Sequence, residues 1–198
     1  MKRKERLIIF YKNPELGKVK TRLAATVGEE MALAVYFRLA SHTRTVVSSV
    51  SADKVVYYSQ AVDFEDEWKD VHKAMQKGSD LGERMHHAFE ESFALGYESV
   101  CIIGTDCWQL EAKHLQEAFE QLITHEVVIG PATDGGYYLL GMKQMHAQFF
   151  QDKVWSSDTV LSRTLTDLKT LHLTFHLLPS LSDVDEEKDL PNHWRSII

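Results

Sequence analysis

The densest chemistry in the sequence lies between Tyr11 and Leu23, where Lys12, Lys18, Lys20 and Arg22 crowd into one segment of a chain whose formal charge is −7. A guanidinium offers a planar fork for phosphate oxygens, and an ammonium a mobile point charge. Gly17 lets the backbone turn and bring N–H groups close to an anion. Lys12, Gly17, Lys20 and Arg22 are therefore candidates for a phosphate-binding loop, with a solvated basic surface as the competing reading. It is not a Walker loop, because Gly17-Lys18 is followed by Val19 and lacks the upstream glycine at the required spacing; nor does the chain contain GxGxxG.

Carboxylates supply the second half of the chemistry. Val100 to Ile103 is an apolar run, and Gly104-Thr105 leads from it to Asp106 and Cys107. Mg2+ typically takes one or two carboxylates, phosphate oxygens and several waters, so a carboxylate just after a strand can hold a divalent cation against a diphosphate. The same residue can instead cap the next helix or turn. Gly130 to Tyr138 sets Asp134 beside Gly135, Gly136 and Tyr137. Asp-Gly-Gly is first a turn signal, but the segment is long for a hairpin and suits a contact to an acceptor or a donor sugar. Between Ser182 and Leu190, Asp185 stands where a last helix would start, as an N-cap favoured by the helix dipole or as a second metal ligand. Trp155, in a Trp-Ser-Ser-Asp helix start, has a face suited to stacking on a sugar or base. The ten histidines show no HExxH and no metal spacing, and His86 and His87 are expected on opposite sides of a helix, so no zinc site is anticipated.

These residues need a scaffold, and the apolar pattern describes one. Leu7–Tyr11 reads as a buried strand. A Thr26–Glu29 capping box would open a helix whose Leu33, Phe37, Ala40 and Val47 share a face. Lys54–Ser59 reads as a strand. Asp80 and Glu83 form a second capping box, followed by Leu81, Met85, Ala88 and Phe89 at helical spacing. Val100–Gly104 is a strand, and Leu115, Ala118, Phe119 and Leu122 mark a helix. Val127–Gly130 and Tyr138–Met142 are strands, Leu161, Leu165 and Leu168 mark a helix, and Leu173, Phe175 and Leu177 alternate as a half-buried strand. Strands alternating with helices imply a mainly parallel sheet covered on both faces, with ligands beyond the carboxyl ends of its strands. With no repeat and no linker, residues 1–198 read as a single domain.

Composition narrows the class. Hydrophobic residues make up 44% and charged residues 26%, the balance of a globular chain. The acidic charge argues against a nucleic-acid backbone or an anionic membrane as main partner, while a local basic cluster can still hold a small anion. Cys101 and Cys107 form no CxxC, which argues against a disulfide scaffold or zinc ribbon and for a reducing, cytoplasmic setting. The basic start Met1–Arg6 is followed by an apolar run too short for a secretion signal, and no stretch of ~20 apolar residues predicts an integral membrane segment.

Taken in order, KxPxxGxVKTRL, SDLGERMxxAF, IIGTDC, GPATDGGYYLLG, WSSDTVL and DVDxxxDL, spanning Lys12 to Leu190, resemble a bacterial glycosyltransferase-like family placed with the nucleotide-diphospho-sugar transferases. More distantly they are similar to guanylyltransferases acting on 2-phospholactate and on the molybdenum cofactor. The resemblance implies an α/β fold of GT-A type, an α/β/α sandwich with a mainly parallel mixed sheet. It implies that Lys20 and Arg22 hold phosphates, that Asp106 and Asp185 hold Mg2+ or Mn2+, and that Ser79 to Arg84, including Asp80, Leu81 and Gly82, lie near the nucleotide. Asp134 to Tyr137 would face the acceptor. Two departures stand out: Trp108 replaces a common proline, and Glu186-Glu187 replaces Thr-Pro. The expected activity is metal-dependent transfer of a sugar from a nucleotide-diphospho-sugar to a small-molecule acceptor, with Asp134, Lys20 and Arg22 as catalytic residues. The alternatives are transfer of an NMP from an NTP to a phosphorylated acceptor, and a nucleotide-binding module without turnover. A homo-oligomer is compatible with the sequence.

Overall fold

The first strand, β1 (Glu5–Tyr11), explains the layering. Its Leu7, Ile8 and Ile9 are fully buried, each worth roughly 1.5–3 kcal/mol relative to exposure. Because successive side chains leave a strand on opposite faces, Leu7, Ile9 and Tyr11 join one core and Ile8 the other. The structure is a computed structural model that describes residues 3–194.

Around β1 are assembled α1 (Thr21–Val27), α2 (Glu29–Ser48), β2 (Asp53–Tyr58), β3 (His72–Met75), α3 (Leu81–Ala94), β4 (Ser99–Ile103), α4 (Ala112–Gln121), β5 (Val127–Pro131), β6 (Tyr137–Met142), α5 (Val160–Thr170) and β7 (Phe175–Leu177). The sheet order is β3-β2-β1-β4-β6-β5-β7. All of these pairings are parallel except those of β6, which runs against both β4 and β5. One face is covered by α2 and α4 through Tyr36, Ala40, Leu115 and Phe119, and the other by α3 and α5 through Met85, Phe89 and Leu168. This is the α/β/α sandwich that the alternation predicted. Among the described residues no helix is long and apolar enough to cross a membrane.

A third apolar cluster lies off the sheet. Leu23 of α1, Val35 and Leu39 of α2, and Val184, Leu190 and Trp194 of the last segment pack together. Trp108 joins them, its ring 4.5 Å from Trp194 and 4.4 Å from His42. The tryptophan at this unusual position thus anchors the chain end.

Several elements differ from the sequence expectations. The Thr26–Glu29 capping box does not form: Thr26 lies within α1 and its hydroxyl bonds back to the Leu23 carbonyl, while Gly28, at φ 85°, ends α1 and opens α2. Gly28 suits the joint because a positive φ costs glycine nothing. Phe37 is 48% exposed, because α2 buries two stripes, Tyr36/Ala40/Val47 on the sheet and Ala32/Val35/Leu39 on the third cluster, and Phe37 lies outside both. The last helix shrinks to a single 3-10 turn, Glu187–Asp189, capped by Glu186 and not by Asp185, with Pro191 just beyond. The short strand β3 carries His72 and Lys73, an edge strand without the apolar alternation that would announce it.

The start of α4 depends on a neutral histidine. His114 is buried, and its Nδ1 accepts the Glu111 backbone N–H at 3.1 Å, the reciprocal half of a capping box. Burial lowers its pKa below the ordinary 6.5, with the Lys113 charge acting in the same direction. A histidine held neutral in this way contributes stability that is present above pH 6.5 and lost as pH falls through its depressed pKa. His114→Gln, which keeps an acceptor that cannot titrate, should therefore flatten the drop in Tm as pH falls below 6.5. A cap worth on the order of 1 kcal/mol corresponds to roughly 2–4 °C in a chain of this size. Identical acid profiles for the two proteins would remove this role.

Candidate functional site

The carboxyl ends of β1 and β4 lie side by side at the middle of the sheet, so the segments that leave them meet. The β1 segment turns at Glu15–Lys18, where Lys18 N–H donates to the Glu15 carbonyl at 3.0 Å and Gly17 has φ 72°. It ends on Lys20, which takes the left-handed conformation at φ 48° and sits at the N-terminus of α1. That backbone costs a non-glycine residue about 1 kcal/mol. It directs an ammonium that is 4% exposed between two carboxylates, 2.6 Å from Asp106 Oδ1 and 3.1 Å from Asp185 Oδ1. Arg22 holds the other Asp185 oxygen at 2.8 Å.

Burial alone would push the Lys20 pKa down, but Asp106 and Asp185 together push it up, so the ammonium stays charged. The backbone fixes the same meeting point, since Val184 N–H donates to the Asp106 carbonyl at 3.0 Å. Asp189 then accepts the N–H groups of Asp185 and Glu186 at 3.2 and 2.9 Å. Glu186 pairs with Lys188, so the two substituted glutamates leave Asp185 in place.

Asp183 is a site residue that the sequence reading passed over. It lines the same cavity, and burial, reinforced by Asp106 and opposed by Lys20, raises its pKa to about 7. The signal was present: Val184 between Asp183 and Asp185 is buried in the third cluster, and such an alternation turns both neighbouring acids away from it.

These groups line a cavity of about 910 Å3. Its charges are sorted along the sheet. The cations Lys12, Lys20, Arg22 and Arg84 come from the β1–α1 segment and from α3, which follows β3. Towards β5 and β6 the lining offers Asp134 and Tyr137, with Ser157, Asp158 and Trp155, whose indole reaches across to Gly82 of α3, and residues 127–142 add no lysine or arginine to it. Asp183 belongs with Lys20, Asp106 and Asp185. The Asp134 turn is real, its Oδ1 accepting Gly136 N–H at 2.9 Å, and it still presents Asp134 to the cavity. Tyr137 is partly buried and its hydroxyl has no protein partner.

Other predicted residues act at one remove. Asp80 caps α3 by accepting Glu83 N–H at 2.9 Å, as the capping box required, and Leu81 lines the cavity. Gly82 and Gly135 serve by lacking side chains: a Cβ on Gly82 would run into the Trp155 indole, and one on Gly135, at φ 91°, into the Asp158 backbone. Gly17 shapes the loop and is not part of the lining. Arg84 ends the Ser79–Arg84 stretch expected near the nucleotide and does line the cavity, whereas Asp158 was legible only as part of a helix start.

The donor set at the centre fits a hard divalent cation. Asp106 and Asp185 converge on one positive centre, the Lys20 ammonium, with oxygen atoms at ion-pair distance, and carboxylate oxygens are the ligands that Mg2+ and Mn2+ take.

Solved structures share this fold. A structure from Desulfovibrio desulfuricans, provisionally named a nucleotide-diphospho-sugar transferase, is 29% identical, with a TM-score of 0.86 over 98% of this chain and 91% of that one. An inositol-1-phosphate CTP transferase from T. maritima has 13% identity and a TM-score of 0.61 over 98% and 94% of the two chains. A 4-diphosphocytidyl-2C-methyl-D-erythritol synthase from Anaerococcus prevotii has 11% identity and a TM-score of 0.61 over 94% of each. Among curated proteins none matches the sequence. The fold is that of the nucleotide-diphospho-sugar transferases. Residues 39–157, from α2 through β4 and Asp106 to the Trp155 segment, match the model of a family described as uncharacterized and conserved in bacteria, and the chain belongs to that family, DUF2064.

Proposed function

We propose that this protein transfers a sugar from a nucleotide-diphospho-sugar to an uncharged, hydroxyl-bearing acceptor. The observation that carries this reading is the sorting of charge in the cavity. The donor's diphosphate is matched by Lys12, Lys20, Arg22 and Arg84, and the β5–β6 turn offers Asp134 and Tyr137, with no lysine or arginine of the lining drawn from residues 127–142. Hydroxyl groups are recognised by carboxylate acceptors and a sugar ring by an aromatic face, whereas an acceptor phosphate would meet like charge, which costs several kcal/mol.

In this reading Lys20 and Arg22 leave Asp185 for the phosphates and stabilise the negative charge that grows on the departing diphosphate. Asp106 and Asp185 hold Mg2+ or Mn2+, which supplies further charge neutralisation when bound. Asp134, exposed at its turn, orients the acceptor hydroxyl or takes its proton. Trp155 and Tyr137 bound the acceptor.

A second reading, transfer of a nucleotidyl group, draws support from the likeness of fold to the CTP transferases. The products separate the two. Sugar transfer releases NDP from a nucleotide sugar; nucleotidyl transfer releases pyrophosphate from an NTP.

Two outcomes are expected. Asp106→Asn should lower NDP release by about a hundredfold or more, the scale of losing one transition-state charge contact, while Tm moves by only a few degrees. Pyrophosphate release with an NTP and a phosphorylated acceptor, without NDP release from any nucleotide sugar, would replace the first reading with the second. Lys20→Met removes the cation shared by Asp106 and Asp185, so its Tm should rise more on addition of Mg2+ or Mn2+ than that of the parent. An equal or smaller rise would count against a metal seat between these carboxylates.

A further inference from the structure

Outside the cavity, α3 carries His86, His87 and Glu90 in one patch. A ring nitrogen from each histidine and a carboxylate oxygen all lie within 4.8 Å of one another. The expectation that the two histidines would diverge fails for a simple reason. Neighbours on a helix are about 100° apart, and Glu90 stands four residues after His86 and three after His87, so it lies between them on the helix surface. The two rings are nearly perpendicular, at 88°, with centroids 5.8 Å apart.

Both rings are held. His87 Nδ1 is 2.8 Å from the Lys77 carbonyl. A carbonyl only accepts, so Nδ1 carries the proton and Nε2 keeps the lone pair that a metal needs. A backbone carbonyl on the second ring nitrogen is the usual support of a metal-binding histidine. His86 packs edge-on against Phe150, at 5.8 Å and 89°. Both histidines are half-buried and Glu90 is exposed. Among the described residues no ion pair or hydrogen bond of Glu90 competes.

The geometry points to a metal site at His86, His87 and Glu90, selective for a borderline divalent ion of the Zn2+ or Co2+ class. Two neutral imidazoles and one carboxylate are the donors such ions prefer, in a three-ligand site that keeps a position for water. Mg2+ demands oxygen ligands and would not compete. The ion would tie the middle of α3, through His87, to Lys77 ahead of the helix. Leu81, Arg84 and Met85 of that helix line the cavity, so the ion would stiffen a wall of the site without belonging to it.

The test is calorimetric titration of tag-free, EDTA-treated protein with Zn2+ in an excess of Mg2+, with Co2+ absorption as a spectroscopic check. One Zn2+ should bind per chain and raise Tm. Binding should be lost in His86→Ala and in His87→Ala, and should weaken about tenfold or more in Glu90→Gln. No uptake by the parent, or the same uptake by both histidine variants, would overturn the assignment. If an alanine variant fails to fold, the parent decides: Zn2+ should protect His86 and His87 from diethylpyrocarbonate, mapped by mass spectrometry, and unprotected histidines would overturn it equally. None of these readouts depends on sugar or nucleotidyl transfer.

Discussion

One buried ammonium organises this end of the molecule. Lys20 Nζ sits between Asp106 and Asp185, residues that enter from strand β4 and from the last segment of the chain. Without a cation between them the two carboxylates would repel, and with it they share a centre. The exposure of the two acids, 45% and 29%, keeps the pair screened by water, so its worth as a staple is modest. Its value lies in position: the left-handed Lys20 backbone, the start of α1 and the loop of Asp106 must all be right for three charges to meet.

The packing around this point follows from that need. The third cluster closes α1, α2 and the chain end into one apolar wall behind the charges. Trp108, edge-on to Trp194, seals the wall where the chain leaves Asp106. The Val184–Asp106 backbone bond and the Asp189 carboxylate then fix Asp185 at a joint with almost no regular structure.

How much of this was legible follows from the range of each interaction. The buried strands and α3 to α5 announce themselves because burial imposes a period of two or about 3.6 on adjacent residues. Helix α1 and strand β3 did not, since α1 begins at a strained lysine and β3 is a short charged edge. The pairing of Lys20 with Asp106 and Asp185 came from motif order, as a set of shared roles, and no local pattern predicts that an ammonium would bridge the two acids. The Asp-Val-Asp alternation hinted at Asp183, but its burial-raised pKa and the convergence of His86, His87 and Glu90 are properties of the folded surroundings.

The two glycines that meet the Trp155 segment have a mechanical consequence. Gly82 receives the indole and Gly135 the backbone at Asp158, and Leu161 N–H is bonded to the Gly135 carbonyl at 2.9 Å. The stretch between is thus seated between α3 and the β5–β6 turn. A larger side chain at either glycine would have to push this segment out of place, so the seat of Trp155 is set by what those two positions lack.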